Sequence, residues 1–247
     1  MVSSVRYESD LFRDGVAIVN TIFDIGKLHE LNTVASKLPP FVGLTEGGRW
    51  MNHTDVEQCV EDIDWAYHWA RTPEDNTFIN DIILPTLQGV ADVVFDSTDW
   101  GWQTTNQYIM SNGQHDLAPA PHLDAPYLWP QMLDVQMAKD LPKGPLSLTF
   151  MVPLVDFTPD NGATAYVPGT HRHIYDTAMW EDLKPHLRTF FNDNYIQPSV
   201  PLGSFACLYG NCLHSVMANK TDTVRRGIIY RAIRQDALDE MTRLGLG

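Results

Sequence analysis

The feature of this 247-residue sequence that most narrows its fold is a change of texture near Thr104. Before that point, segments 27–38, 55–70 and about 76–95 carry apolar residues at helical spacing, and the last is broken at Pro85, which cannot donate to a helix ladder. One short strand, Val16 to Val19, comes ahead of them. Beyond it the chain becomes a series of short β-rich runs: Thr104–Met110, Leu146–Val155, Thr164–Val167, Ser204–Tyr209 and Gly227–Ile233. Turn signals such as Ser-Asn-Gly, Pro-Asp-Asn-Gly and Pro-Gly-Thr separate these runs. A helix over about 176–189 interrupts them, and another over about 235–244 closes the pattern. Helices followed by many short strands fit an α+β architecture: an antiparallel jelly roll, or double-stranded β-helix, buttressed by helices on one side. No Pro/Gly/Ser-rich linker divides the halves. Residues 1–247 therefore read as a single domain, with helical support over about 1–100 and a jelly-roll core over about 101–234.

Composition removes several functions. A formal net charge of −14 argues against a nucleic-acid groove, which needs clustered Lys and Arg, and against docking onto anionic lipid. Three cysteines (Cys59, Cys207 and Cys212) are too few and too oddly numbered for a disulfide framework, so buried thiols in a reducing compartment are expected. The first ten residues hold no apolar signal core, and no apolar run approaches the roughly 18 residues of a membrane span. The expectation is a cytoplasmic protein acting on a small molecule.

The chemistry concentrates around His122-Leu123-Asp124. On a β-strand, residues i and i+2 face the same side with Cα atoms roughly 6.6 Å apart, so one imidazole and one carboxylate can converge on an ion. A second histidine would complete a two-His, one-carboxylate set, which holds three facial positions of an octahedral iron and leaves three open. The spacing alone is weak, since it recurs at His53-Thr54-Asp55. There, Thr54 with Glu57 makes a capping box opening a helix through Val60 and Trp65. On spacing alone an ordinary hydrogen-bonded role suits His122 equally well. Among the other histidines, His29, His68 and His186 lie in helical patterns, His171 and His173 follow Pro-Gly in a turn, and His115 sits in a polar loop. His214 differs, ending the apolar run Phe205 to Leu213 where a sheet-built site would place a ligand. Eleven residues later comes Arg225. A dicarboxylate needs a fixed, bidentate cation, and Arg supplies one. Arg226 competes for that role, but neighbours on a strand face opposite sides, so only one of the two points inward.

Four segments, in order, resemble the phytanoyl-CoA dioxygenase family of iron/2-oxoglutarate oxygenases. Phe12-Arg13-Asp14-Gly15-Val16-Ala17-Ile18-Val19 is similar to that family's opening strand, and His122-Leu123-Asp124 to its metal dyad. Asp156 to Arg172, reading DFTPDNGATAYVPGTHR, is similar to its most recognisable stretch. Leu202 to Arg225, reading LGSFACLYGNCLHSVMANKTDTVR, resembles its closing segment with distal histidine, asparagine and arginine.

The resemblance implies iron(II) on His122, Asp124 and His214, chelated by 2-oxoglutarate whose far carboxylate pairs with Arg225. It places Gln107, and more weakly Thr149, among the polar cosubstrate contacts. It also implies a dioxygenase that uses O2 to hydroxylate or otherwise oxidise a small organic substrate, with release of succinate and CO2. Halogenating relatives lack the carboxylate that Asp124 provides, so oxygenation is favoured. Two departures concern finer contacts: Ser204 stands where an acidic residue is usual, and Val216 where a small one is usual, with Ser215 as a substitute hydroxyl. Trp102, Tyr108, Tyr127, Trp129 and Tyr230 either line the mouth of the site or pack the core. Arg231 shares the strand face of Arg225 and could meet an anionic substrate or pair with an aspartate. No basic cluster is present to hold a coenzyme A tail, so a free small molecule is expected. Two other readings stay open at this point: a jelly-roll metalloenzyme of another class, such as an isomerase or hydrolase, and a non-catalytic binding module.

Overall fold

Backbone pairing, more than helix propensity, organises this chain. The structure is a computed structural model that describes residues 4–20, 22–38, 67–103, 108–127, 132, 145–172 and 177–245. In chain order these form α1 (Ser4–Asp14), β1 (Val16–Val19), α2 (Ile25–Ala35), β2 (Tyr67–Arg71), a π-helical turn (Ile79–Ile83) and α3 (Leu84–Phe95). Then follow β3 (Trp100–Trp102), β4 (Tyr108–Asn112), β5 (Ser147–Pro153) and β6 (Ala165–Tyr166). Helices α4 (Thr177–Leu183) and α5 (Leu187–Asn194) precede β7 (Phe205–Tyr209), β8 (His214–Ser215), β9 (Arg225–Arg234) and α6 (Gln235–Arg243).

Seven strands make one antiparallel sheet in the order β1-β7-β5-β9-β4-β2, with β3 also pairing β9. A smaller sheet, β6 with β8, is extended by the isolated pairings His122↔His214, Tyr166↔Ile196 and Phe157↔Val200. Period-two alternation separates the two faces of the large sheet. Ala17, Val19, Leu148, Phe150, Val152, Phe205, Cys207, Ile228 and Tyr230 pack with Leu28 and Leu31 of α2 and Leu87 and Val90 of α3. Their alternates Val16, Met151, Ala206, Leu208 and Ile229 meet Phe157, Tyr166 and Val200 from the opposite sheet. Because both faces are covered, every residue of β5 is buried. This is the expected jelly roll, with α2 and α3 on one side of the large sheet, while α4, α5 and α6 pack in a separate cluster with Leu123, Ala165 and Leu213. No helix among the described residues is long and apolar enough to cross a membrane.

Three differences from the sequence reading have identifiable physical causes. Helix α1 was not expected; it ends at Gly15, whose N–H closes on Leu11 O at 2.8 Å with φ +83°, a left-handed cap that glycine adopts without strain. The end of the expected helix 55–70 is instead β2, where Tyr67 to Arg71 pair Asn112 to Tyr108 along the sheet edge. Aromatic residues and a full ladder outweigh helical spacing there; positions 55–66 lie outside the described residues. The break at Pro85 is real but gentle: the chain runs through the π-turn and Pro85 falls in the first turn of α3, where its missing N–H costs nothing.

Candidate metal centre

His122 and His214 face each other across a two-residue antiparallel bridge, with His122 N donating to His214 O at 2.9 Å and His214 N to His122 O at 3.2 Å. That pairing sets the ring centroids 4.4 Å apart. Asp124, two residues on, is fixed by its own N–H donating to Gly210 O at 2.7 Å. One donor atom from each of His122, Asp124 and His214 lies within 4.8 Å of the others. In both imidazoles Nδ1 meets a backbone carbonyl, Ala120 O at 2.9 Å for His122 and Cys212 O at 2.8 Å for His214. A carbonyl only accepts, so Nδ1 carries the proton and the lone pair is left on Nε2. Two imidazole nitrogens and one carboxylate oxygen form a donor set that suits iron(II), the imidazoles oriented by backbone carbonyls and the carboxylate by side chains.

The electrostatics match. Burial by itself would raise the Asp124 carboxyl, but the Arg231 guanidinium, the two imidazoles and the Thr149 hydroxyl outweigh it and hold the group well below the usual carboxylate range. Arg231 Nη2 donates to Asp124 Oδ1 at 2.5 Å and Thr149 Oγ1 donates to Oδ2 at 2.6 Å, while Oδ2 lies 3.6 Å from His214 Nε2. Burial lowers the His214 imidazole to about 4, against the upward pull of Asp124. At neutral pH the cluster thus combines an anionic carboxylate with a neutral His214, as metal coordination requires.

The Pro168-Gly169-Thr170-His171-Arg172 stretch positions the strand that carries His214. Thr170 Oγ1 donates to Val167 O at 2.8 Å and accepts from Leu213 N at 2.9 Å, while Asn211 Nδ2 donates to His171 O at 2.9 Å. His171 itself points away from the cluster, with Nε2 3.1 Å from Phe12 O, and a Cβ at Gly15 would meet its Nδ1 at 2.5 Å. The first and third recognisable segments therefore pack on each other. Asn161-Gly162 makes the expected turn, with Asn161 Oδ1 accepting from Thr158 N at 2.9 Å and Gly162 at φ +79°.

Arg225 opens β9 opposite Asn112 and is wholly buried, its guanidinium 4.5 Å from the centroid of the Phe157 ring, whereas Arg226 is half-buried. Arg225 is therefore the inward member of the pair. A small apolar cavity is lined by Val16, Ile18, Met151, Tyr166 and Leu208 together with His214 and Phe157.

Other expected residues fall elsewhere. Gln107, Trp129, His53, His173 and Cys59, and the side chain of Tyr108, lie outside the described residues. Thr149, expected as a cosubstrate contact, is committed to Asp124 and Arg231. Trp102 and Tyr230 pack together, ring centroids 5.6 Å apart, on the helix side of the large sheet, and Tyr127 is buried with its hydroxyl accepting from Leu146 N. Those three rings build core and do not line a mouth. Ser215 Oγ accepts from Ala120 N at 3.0 Å, tying the His122 segment to β8. Gln103, whose Oε1 accepts from Arg231 Nη1 at 3.1 Å, was not anticipated, and nothing local in the sequence marks it.

Comparison with known proteins adds a family and a fold. The family model described as Phytanoyl-CoA dioxygenase (PhyH) matches residues 13–227. The dioxygenase trt7 of Aspergillus terreus is 31% identical over 83 residues, which is 34% of this chain and 26% of that protein. The chain thus spans about a quarter of the length of the curated relatives it matches. Among solved structures, HygX from Streptomyces hygroscopicus, with nickel and 2-oxoglutarate bound, gives a TM-score of 0.62 at 14% identity, covering 92% of this chain and 86% of that one. The non-heme alpha ketoglutarate dependent epimerase SnoN from nogalamycin biosynthesis gives 0.60 at 17% identity, covering 94% and 81%. At such identities the likeness is one of fold.

Proposed function

The chain belongs to the phytanoyl-CoA dioxygenase family, and from that premise we propose that it is an iron(II)- and 2-oxoglutarate-dependent oxygenase of a small organic substrate. The observation that carries the proposal is the His122, Asp124, His214 cluster, in which each imidazole keeps one lone pair free and the carboxylate stays anionic despite burial. His122 and His214 would hold iron through Nε2, and Asp124 through the oxygen that faces His214. Arg225 would take the far carboxylate of 2-oxoglutarate. A dry guanidinium seated on Phe157 is suited to that pairing, because a charge-assisted bidentate bond is strongest away from water. When bound, iron(II) with 2-oxoglutarate supplies dioxygen activation, coupled to conversion of the keto acid to succinate and CO2 while the substrate is oxidised.

The chain's own work is placement and exclusion of water. The bridge between the His122 and His214 segments fixes the two imidazoles, and the Thr170 and Asn211 hydrogen bonds hold that bridge in register. Apolar walls from Val16, Met151 and Leu208 keep the adjoining cavity dry. The small-molecule substrate follows from the acidic composition, which offers no basic cluster for a nucleotide tail or a nucleic acid. All of this is proposed to reside in one catalytic unit over residues 1–247.

Oxygen-dependent conversion of 2-oxoglutarate to succinate by the iron-loaded protein tests the reading. Succinate should form with the native chain and fall to background in His122→Ala. Succinate formation that is indifferent to His122 would remove the proposal.

A further inference from the structure

The guanidinium of Arg231 is almost entirely buried and touches three partners at once. Nη2 donates to Asp124 Oδ1 at 2.5 Å, Nε to Thr149 Oγ1 at 3.1 Å, and Nη1 to Gln103 Oε1 at 3.1 Å. These partners come from separate parts of the chain. Thr149 stands directly across from Arg231 in the β5–β9 register, and Gln103 N–H donates to Arg231 O at 2.8 Å just past the β3–β9 pairing. The Thr149 hydroxyl has a single proton. Since Arg231 donates into that oxygen, the proton is free to go to Asp124 Oδ2, which it meets at 2.6 Å.

The Asp124 carboxylate is consequently held by both oxygens. Oδ1 is taken up by the guanidinium, and Oδ2 keeps its remaining lone pair for the side on which His214 Nε2 lies, 3.6 Å away. From this we infer that Arg231, oriented by Gln103 and Thr149, is a positioning residue that makes Asp124 a one-oxygen ligand. This inference rests on the metal-centre reading above and specifies how that centre is tuned. A carboxylate free to rotate could close on an ion with both oxygens and use up a coordination position that the keto acid or dioxygen needs. To do so here, Oδ1 would have to leave a buried arginine, and an unpaired buried cation is strongly unfavourable. Strand pairing on both sides of Arg231 and Thr149 keeps the clamp rigid without help from the metal.

The test is direct binding of Co(II), used as an oxygen-stable stand-in for iron(II), to the full chain and its variants, followed by the cobalt visible spectrum. Arg231→Gln should weaken Co(II) binding by roughly 10- to 100-fold and change the ligand-field bands as the carboxylate is released. Thr149→Val should weaken binding in the same direction, and Thr149→Ser, which restores the hydroxyl, should return both affinity and spectrum. If Arg231→Gln fails to fold, the Thr149 pair decides the matter alone. Should the native chain bind Co(II) through His122 while Arg231→Gln and Thr149→Val both keep its affinity within threefold and its bands unchanged, the clamp is wrong and the oxygenase reading survives. Should the native chain bind no Co(II), or bind it equally well after His122→Ala, both fall together.

Discussion

Arg225 and Arg231 lie on the same face of one strand, six residues apart, and both are buried, yet their guanidinium groups meet different partners. Arg231 closes on Asp124, while Arg225 sits over the Phe157 ring. Their Cα atoms are separated by roughly 20 Å of extended strand, so the second cation cannot compete for the carboxylate of the cluster. On the proposed reading, Arg231 serves the metal centre and Arg225 serves the cosubstrate.

Replacing the second cation should therefore separate cosubstrate binding from metal binding. Arg225→Gln is expected to raise the KM for 2-oxoglutarate by about 100-fold, the loss of one charge-assisted bidentate pair, with metal affinity nearly unchanged. Succinate formation across a range of 2-oxoglutarate concentrations, with parallel metal titration, measures both. A jelly-roll metalloenzyme of another class would keep its activity in this variant.

The buried charge pair makes a stability prediction. Asp124→Ala leaves the buried Arg231 guanidinium without its carboxylate and should destabilise the metal-free protein by about 3–5 kcal/mol. Arg231→Met placed on top of Asp124→Ala should recover much of that loss. Urea denaturation of the two single variants and the double variant gives the coupling; additive losses would show that the pair is energetically independent.

Acid should weaken the metal-free fold through His214. Burial lowers this imidazole from the ordinary 6.5 to about 4, so between those values the unfolded chain binds a proton that the folded chain refuses. Stability is unaffected by His214 above about 6.5 and falls progressively as pH drops towards 4. Asp124, held below its ordinary range, adds its own loss only at still lower pH. Thermal unfolding between pH 7 and 4 should show Tm falling by several degrees, and the same scan of His214→Gln should be flatter.

Thr170 links the turn to the strand of His214, so its hydroxyl should matter at a distance. Thr170→Val leaves the buried Leu213 N–H without an acceptor, at a cost of about 1–3 kcal/mol. The expected outcome is a Tm lower by several degrees together with weaker metal binding, read by thermal melting and metal titration. A lower Tm with unchanged metal binding would mean that the turn stabilises the fold without aligning His214.

What could be read in the sequence is whatever is encoded locally. Strands β1, β5 and β7 are short apolar runs and β9 has an apolar centre, Gly227–Ile233, so their positions emerge within a residue or two. The two-residue spacing of His122 and Asp124 marks a shared cluster, although only His122 is paired, in an isolated bridge, and the deeper burial of Arg225 than of Arg226 follows from alternation. What stayed hidden is nonlocal. Strand β2 depends on a partner some forty residues away, and only the ladder with β4 distinguishes it from a helix end. The clamp on Asp124 joins residues 107 apart in sequence, and Gln103 meets Arg231 across 128. Such pairings exist only once the sheet has closed, and no window of sequence contains both members.

The central claim is that His122, Asp124 and His214 hold iron(II) on which 2-oxoglutarate chelates. Anaerobic addition of iron(II) and 2-oxoglutarate to the full chain tests it without knowledge of the substrate. The account predicts a weak visible metal-to-keto-acid charge-transfer band that requires both additions and is lost in His122→Ala. No band at saturating iron and 2-oxoglutarate, or a band that persists in His122→Ala, would contradict it.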